Sequence, residues 1–251
     1  MREWTTQRGD RQLAILAYHK IGEPSPAAWE TWFYVPEETF VGHLRHLREN
    51  HWQVIDVPTL LRGLREPDAL PRQAALITFD DGYRSVLTVA LPWLQEFGYP
   101  AVNFVPTDYI GGRNWFDNGG EPEEEICSWD DLIELERHGI LTQPHGASHR
   151  HFSELDAAGI EKELRQPKDV LEERLSKPVE VFCFPYGDDG VDARATANVL
   201  REAGYHAACL YGGGPLALPI VEQYRLARVA MGPDTDLPAV LERRSARSSA
   251  S

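Results

Sequence analysis

Short apolar runs that alternate with helical patterns constrain the fold of this 251-residue chain more than any other feature. Eight runs are predicted as strands: residues 13–18, 53–57, 74–79, 101–105, 139–144, 179–184, 207–211 and 224–231. Their nearly continuous apolar character is typical of parallel strands that are covered on both faces. The segments between them that show helical periodicity are residues 36–50, 85–98, 128–139, 155–176 and 191–204. The alternation predicts a (β/α) barrel or a doubly wound sheet.

Residues 12–241 are predicted to form a single domain, because no linker or repeat divides this part of the sequence. Residues 1–11 are predicted to be an N-terminal extension and residues 242–251 a flexible tail. Ser128 is the expected N-cap of one helix, and Pro167 is expected to kink another. The Gly-rich segment 106–127 is too long for a simple connection, which is typical of a functional or disordered loop.

Composition excludes several classes of function. A formal net charge of −14 argues against binding to a nucleic-acid backbone, which requires clustered Lys and Arg. No apolar run is long enough for membrane insertion, and the first residues lack the apolar region of a signal peptide. The chain as written is therefore expected in the cytoplasm, or outside it if a leader has been removed. Cys127, Cys183 and Cys209 form no CxxC pair, which argues against a disulfide framework.

Polar or conformationally special residues follow four of the predicted strands. They are Tyr18-His19, Asp80-Asp81-Gly82, His145 and Pro185-Tyr186-Gly187. Both candidate folds gather their active-site residues at the carboxyl ends of the strands. We therefore expect these four segments to meet at one site.

The segment HGASHRH resembles part of a metal site. His145 and His149 are four residues apart, which places both imidazoles on one side of a helical turn. Asp81 is the natural third ligand, and such a set leaves a coordination position open for water. His151 could replace His149 if the segment is extended. An H-x₃-H pair by itself is weak evidence for a metal site, and the alternative is that these histidines lie on a polar loop without binding a metal.

Asp80 is adjacent to the predicted ligand Asp81, and neighbouring side chains of a strand point to opposite faces. Asp80 therefore has no predicted ligand duty. A carboxylate beside an activated water can act as a general base. The alternative is an N-cap of the following helix, which would explain one of the two aspartates but not both.

The motifs TFDDG, HGASH and FPYG, in this order, resemble those of the NodB-type polysaccharide deacetylases of carbohydrate esterase family 4. The resemblance extends over residues 12 to 231 and includes the opening LAYHKIG. It implies a single-domain α/β fold, a distorted (β/α) barrel. The implied activity is metal-dependent hydrolysis of the N-acetyl amide of a sugar.

The resemblance also implies roles for individual residues. Asp81, His145 and His149 would hold one divalent metal, expected to be Zn²⁺, with Co²⁺, Ni²⁺ or Mn²⁺ as alternatives. Asp80 would be the general base. The backbone N–H of Tyr186 would help to stabilise the oxyanion.

Three departures from the family pattern matter. Cys183 stands where the family has an Arg that orients the base, and Phe184 replaces a Pro. We expect Arg228 to supply the missing cation, with Arg225 in reserve; the alternative for either is a surface ion pair. The usual late general-acid His is absent, so His19 is assigned that role, or else a structural one. Pro144 and Gly146 change the surroundings of His145 without changing the ligands.

The predicted function is deacetylation of an N-acetylated poly- or oligosaccharide. Pro185, Tyr186, Trp115 and Arg228 are assigned to substrate binding, and Trp129 to the core unless it meets a sugar. One alternative is an amidase of the same fold that acts on a non-sugar C–N bond. Another is a non-catalytic carbohydrate-binding protein that retains a metal. The sequence does not determine the oligomeric state.

Overall fold

The computed structural model describes residues 11–25 and 28–242. The predicted extension up to residue 10 and the predicted tail from residue 243 lie outside the described residues. The strands are β1 (Gln12–Tyr18), β2 (Lys20–Ile21), β3 (Tyr34–Val35), β4 (Gln53–Val54), β5 (Gln73–Phe79), β6 (Ala101–Val105), β7 (Ile140–Pro144), β8 (Val181–Cys183), β9 (Ala207–Cys209), β10 (Leu216–Ala217) and β11 (Val229–Ala230).

The helices surround this sheet framework. They are α1 (Glu37–Glu49), α2 (Val57–Arg65), α3 (Leu91–Phe97), α4 (Trp129–Arg137), α5 (Ala157–Leu175), α6 (Ala193–Glu202) and α7 (Leu237–Glu242). Ser128 caps α4 as predicted, through a reciprocal capping box with Asp131. Among the described residues, no helix is both long and apolar enough to cross a bilayer.

Parallel strands form an irregular ring. β1 pairs with β5, β5 with β6 and β6 with β7, all in parallel. β8 and β9 form a separate parallel pair, and Cys209 of β9 forms a parallel bridge with Leu226. The chain then continues into β11, which pairs in parallel with β1. Strand order therefore closes on itself everywhere except between β7 and β8.

A side chain bridges the gap in the ring. The Gln143 side-chain oxygen, on β7, accepts the backbone N–H groups of Glu180 and Val181 at 2.9 Å each. Backbone groups that would pair along a regular ladder are satisfied here by an amide side chain. The ring is therefore a distorted barrel, and its seam lies beside His145, the residue that follows β7.

Alternation along the strands divides the core into two clusters. Leu13, Ile15 and Leu76 belong to the cluster inside the ring, which residues of α2 also join. Ala14 and Leu16 face outward into the larger cluster beneath the other helices. Both faces of the strands are buried, as the continuous apolar runs predicted.

Several predicted elements differ from the observed ones. Residues 53–57 form only the short β4, because Asp56 caps α2, whose first residue is Val57. Residues 224–231 are mostly irregular, and only Val229–Ala230 pair as a strand. The helix predicted over 85–98 begins with a π-helical turn at Val86–Ala90 before α3. α5 runs through Pro167 as one uninterrupted helix, and that proline is buried on its inner face.

Candidate active site

The four predicted strand-end segments meet around one pocket of about 220 Å³. Its lining includes the residues predicted from the strand ends: His19, Asp80, Asp81, His145, His149 and Tyr186. Phe33, Tyr83, Asp117, Glu121, Phe184 and Tyr211 complete the wall. The strand-end pattern therefore located this pocket, as expected for parallel strands in a barrel.

The backbone explains how two adjacent aspartates reach one pocket. Asp80 still follows the sheet, because its N–H donates to Tyr18 O at 2.9 Å. Asp81 leaves it with φ +68°, and Gly82 follows with φ +73°. Asp is among the few residues that adopt this left-handed region without a large penalty. The turn removes the strand alternation that would have sent the two carboxylates to opposite faces.

Asp80 is held by Arg228 in a fully buried, bidentate ion pair. Arg228 Nη1 donates to Asp80 Oδ1 at 2.7 Å, and Nη2 donates to Oδ2 at 2.6 Å. Arg228 Nε donates to Leu210 O at 2.7 Å, so the guanidinium itself is fixed. Burial opposes ionisation of Asp80, but the Arg228 charge lowers the pKa of its carboxyl below the usual value. Asp80 is therefore an oriented carboxylate.

Cys183 lies beside Asp80 but carries no positive charge, and Arg228 supplies that charge from another segment. Its thiol lies 3.8 Å from Asp80 Oδ1, at the place where the sequence lacks the expected arginine. Arg228 reaches the same carboxylate from the start of the β11 segment. Its side chain is 0% exposed and does not line the pocket, a placement that suits orientation of Asp80 and not contact with substrate. Arg225, the reserve candidate, instead pairs with Asp189 at 2.7 Å on the surface.

Asp81, His145 and His149 converge on one point. His149 Nε2 lies 3.0 Å from Asp81 Oδ1, and His145 Nε2 lies 3.4 Å from the same oxygen. Within the described residues this buried oxygen makes no hydrogen bond of acceptable geometry. All three residues are buried, and their candidate ligand atoms lie within 4.8 Å of one another.

The protonation of His145 is set by its other ring nitrogen. Nδ1 lies 2.8 Å from Cys183 O, and a carbonyl can only accept, so Nδ1 carries the hydrogen. Burial lowers the pKa of His145 to about 4, although the negative charge of Asp80 opposes this shift. The low pKa keeps the ring neutral. Nε2 therefore presents a lone pair toward the Asp81 carboxylate. Two electron-rich atoms at this distance repel unless a cation lies between them, so the donor set fits a metal ion.

The segment from His145 to His149 is a loop and not the predicted helical turn. Gly146 has φ +75° and His149 has φ +55°, so the two imidazoles converge through a left-handed backbone. His151, the alternative ligand, lies outside the cluster. It stacks on Tyr186 with ring centroids 3.8 Å apart and approaches Asp188 at 3.4 Å.

His19 lies across the pocket from the histidine pair. Its Nε2 is 4.0 Å from Asp80 Oδ2 and 4.0 Å from Asp81 Oδ2. Phe33 and Tyr211 pack against the ring, with centroid distances of 4.6 and 5.5 Å. Burial lowers the pKa of His19, although the charges of Asp81 and Asp80 oppose that shift.

Pro185 and Tyr186 follow β8 at the rim of the pocket. Pro185 is buried, whereas Tyr186 is exposed and has φ +59°. The Tyr186 hydroxyl lies 3.2 Å from His149 Nδ1. Trp115 is 62% exposed but lines a different surface cavity, while its neighbour Phe116 packs on His149 at 4.2 Å. Trp129 packs against the core, its expected default.

Some pocket residues carry no sequence signal of their own. Phe33, Asp117 and Glu121 come from loops, and only the unusual length of segment 106–127 pointed toward the last two. Glu121 accepts from the buried Lys20 at 2.7 Å, and Asp117 accepts from Asn114 at 2.7 Å. The Lys20 contact connects the long loop to β2, and the Asn114 contact holds Asp117 within the loop.

A comparison with protein families identifies the chain. The polysaccharide deacetylase family model matches residues 68–208, more than half of its length. The chain belongs to the polysaccharide deacetylase family. The matched range contains Asp80, Asp81, His145 and His149, but it begins after His19 and ends before Arg228.

Two curated relatives illustrate the match. The putative polysaccharide deacetylase YxkH of Bacillus subtilis is 24% identical over 184 residues, covering 73% of this chain and 60% of that protein. A poly-beta-1,6-N-acetyl-D-glucosamine N-deacetylase of Escherichia coli is 30% identical over 176 residues, covering 57% of this chain and 26% of that protein. The chain thus spans less than two thirds of either relative.

Solved structures confirm the predicted fold class. The Streptococcus pyogenes deacetylase PplD aligns with a TM-score of 0.78 at 19% identity, covering 92% of this chain and 99% of that one. IcaB from Ammonifex degensii aligns with a TM-score of 0.73 at 22% identity, covering 89% and 93%. The distorted barrel is therefore the polysaccharide deacetylase fold.

Proposed function

We propose that this chain is a metal-dependent deacetylase that hydrolyses the N-acetyl amide of an N-acetylated sugar in a poly- or oligosaccharide. The observation that carries the proposal is the pairing of two units in one pocket. One unit is the convergent set Asp81, His145 and His149. The other is Asp80, oriented by Arg228 beside that set. The family membership and the named activity of the Escherichia coli relative support the same substrate class.

Asp81, His145 and His149 would hold one divalent ion. Two neutral imidazoles and one carboxylate suit Zn²⁺, and Co²⁺, Ni²⁺ or Mn²⁺ can occupy the same donor set. The lone carboxylate oxygen of Asp81 and the unprotonated Nε2 of His145 supply the electron pairs. When bound, the ion would polarise the acyl carbonyl and make a water molecule more acidic.

Asp80 and His19 would move the protons. Asp80 accepts a proton from the attacking water, whose oxygen bonds to the carbonyl carbon. A protonated His19, whose Nε2 lies 4.0 Å from both aspartates, would donate its proton to the nitrogen as the C–N bond breaks; the charges of Asp81 and Asp80 favour that form against the effect of burial. The products are acetate and a free amine on the sugar. The ion pair with Arg228 keeps Asp80 ionised and aimed before the substrate arrives.

Tyr186 would contribute through its position at the rim. Its backbone N–H is assigned to the developing oxyanion, and its left-handed conformation sets the direction of that group. The exposed ring of Tyr186 would contact the sugar, whereas Pro185 is buried and does not line the pocket, which argues against the sugar contact predicted for it. Trp115 would contact a sugar only beyond the pocket, on the outer side of the long loop.

Acetate release tests the proposal. N-acetylglucosamine oligomers, incubated with the protein and Zn²⁺ or Co²⁺, should release acetate, and a chelator should abolish the release. A simple non-sugar acetamide, tested in parallel, should be a much poorer substrate. Preference for the non-sugar amide would favour the amidase alternative. Tight metal and oligosaccharide binding without acetate release would favour the non-catalytic alternative.

A further inference from the structure

We propose that Glu163 is a positioning residue that fixes the spacing of His145 and His149 for the metal. This inference rests on the proposed function, because it concerns the same ligand set. Glu163 lies on α5, outside the pocket, and is only 4% exposed. It does not line the pocket, and it belongs to none of the motifs that predicted the site.

The Glu163 carboxylate binds the residues between the two histidines. Its Oε2 accepts the backbone N–H groups of Ala147 at 2.7 Å and Ser148 at 3.0 Å. Its Oε1 accepts the Ser148 hydroxyl at 2.5 Å. All three donors belong to one loop, and none of them is a cation. A carboxylate with several such donors is strongly held, which offsets its burial.

The opposite side of the loop is held by backbone groups. Thr107 N–H donates to Gly146 O at 3.3 Å, and Asp108 N–H donates to Ala147 O at 3.0 Å. The loop is thus clamped between the turn after β6 and the side chain of Glu163. Its N–H groups point to α5 and its carbonyls point to that turn.

Close approach of Glu163 explains the residue at position 146. A Cβ added to Gly146 would lie 2.9 Å from Glu163 Oε2, and its φ of +75° is also unfavourable for other residues. Gly146 therefore permits the contact that lets the chain turn between the histidines. An apolar residue in place of Glu163 would leave the Ala147 and Ser148 N–H groups buried without partners. The predicted consequence is a loop in which the two imidazoles no longer converge.

Three substitutions separate reach from charge. Glu163→Gln keeps the length, since its oxygen can accept both N–H groups while its amide nitrogen donates to the Ser148 hydroxyl. Glu163→Asp keeps the charge but is shorter by one methylene. Glu163→Ala removes both. The exposed Glu173→Ala on the same helix is the matched control.

Zn²⁺ affinity by calorimetry and the visible spectrum of the Co²⁺-loaded protein are the measurements. We expect the Asp and Ala variants to bind Zn²⁺ about 10–100-fold more weakly and with altered Co²⁺ bands. The Zn²⁺ affinity of the Gln variant should stay within about threefold of that of the unsubstituted protein, well below that range. Glu173→Ala should leave the Zn²⁺ affinity unchanged.

Equal affinities of the Gln and Asp variants, or tighter binding by Asp, would overturn the inference. If the Ala variant does not fold, the comparison of Gln with Asp still decides. Absence of Zn²⁺ binding in the unsubstituted protein would instead contradict the proposed function. The two failures are thereby distinguishable.

Discussion

Asp80 and Asp81 are neighbours in sequence but lie in two regions that differ in how their charge is balanced. The Asp80 region is complete without any ligand, because Arg228 binds both carboxylate oxygens. In the Asp81 region, one carboxylate oxygen faces two imidazole nitrogens without a hydrogen bond in the described structure. The difference indicates that the protein itself balances the charge of Asp80, whereas the donor set around Asp81 suits a cation.

The largest expected effect comes from removing the proposed base. Asp80→Asn should lower the rate of acetate release by about 10³-fold, because the amide cannot accept the water's proton. Zn²⁺ affinity should be unchanged, since Asp80 is not in the ligand set. Asp81→Asn is the matched control and should lose metal together with activity. Full turnover by Asp80→Asn would contradict the base assignment and erase the contrast between the two regions.

Removing the partner of Asp80 tests the balance of charge directly. Arg228→Leu should lower the free energy of unfolding by about 3–5 kcal/mol, because it leaves a buried carboxylate unpaired. Denaturant unfolding of the metal-free protein measures this. The control is Arg225→Leu, which breaks an ion pair of a 42% exposed side chain and should cost less than about 1 kcal/mol.

A double variant sharpens this result. In an Asp80→Asn background, Arg228→Leu should cost measurably less, because the remaining amide is neutral. Equal costs in both backgrounds would show that Arg228 acts by packing and not through Asp80.

His19 touches both regions, so its substitution should separate rate from metal binding. His19→Gln should reduce the rate of acetate release by about 10²-fold, through loss of the proton donor. Its Nε2 is 4.0 Å from each aspartate, so Zn²⁺ affinity should stay unchanged. Loss of metal in this variant would contradict the acid role and place His19 among the residues that support the ligands.

The sequence predicted which residues meet but not how the backbone brings them together. Strand ends carry the polar residues, and parallel strands gather those ends, so the pocket followed from the alternating pattern. The left-handed turn at Asp81 could not be predicted, because strand alternation favours opposite faces for Asp80 and Asp81. The spacing of His145 and His149 likewise predicted a helical turn, whereas the structure has a loop with left-handed residues at Gly146 and His149.

Long-range contacts set the remaining limits. Cys183 in place of the expected arginine indicated that a cation comes from the last predicted strand, residues 224–231, and Arg228 of that segment forms the ion pair with Asp80. Glu163 gave no comparable signal. In the sequence, Glu163 looks like any other charged residue of the α5 segment, and only the fold places it beneath the loop. Residues 224–231 show the apolar pattern of a strand, but ring closure at Leu226 rests on one bridge and only Val229–Ala230 pair as a strand, so the pattern overstated the length of the pairing.

The smallest expected effect lies at the edge of the Asp81 region. Tyr186→Phe removes a hydroxyl 3.2 Å from His149 Nδ1 but keeps the ring that stacks on His151. Loss of one hydrogen bond of about 1 kcal/mol should weaken Zn²⁺ binding by roughly fivefold.

Tyr211→Phe is the matched control on the Asp80 side of the pocket. Its hydroxyl is buried and has no hydrogen-bond partner among the described residues, so its removal should leave Zn²⁺ affinity unchanged. Calorimetric titration of both variants measures the difference. Identical affinities would mean that the Tyr186 hydroxyl does not orient His149. The geometry of the Asp81 region would then depend on the contacts of Glu163 with the loop alone.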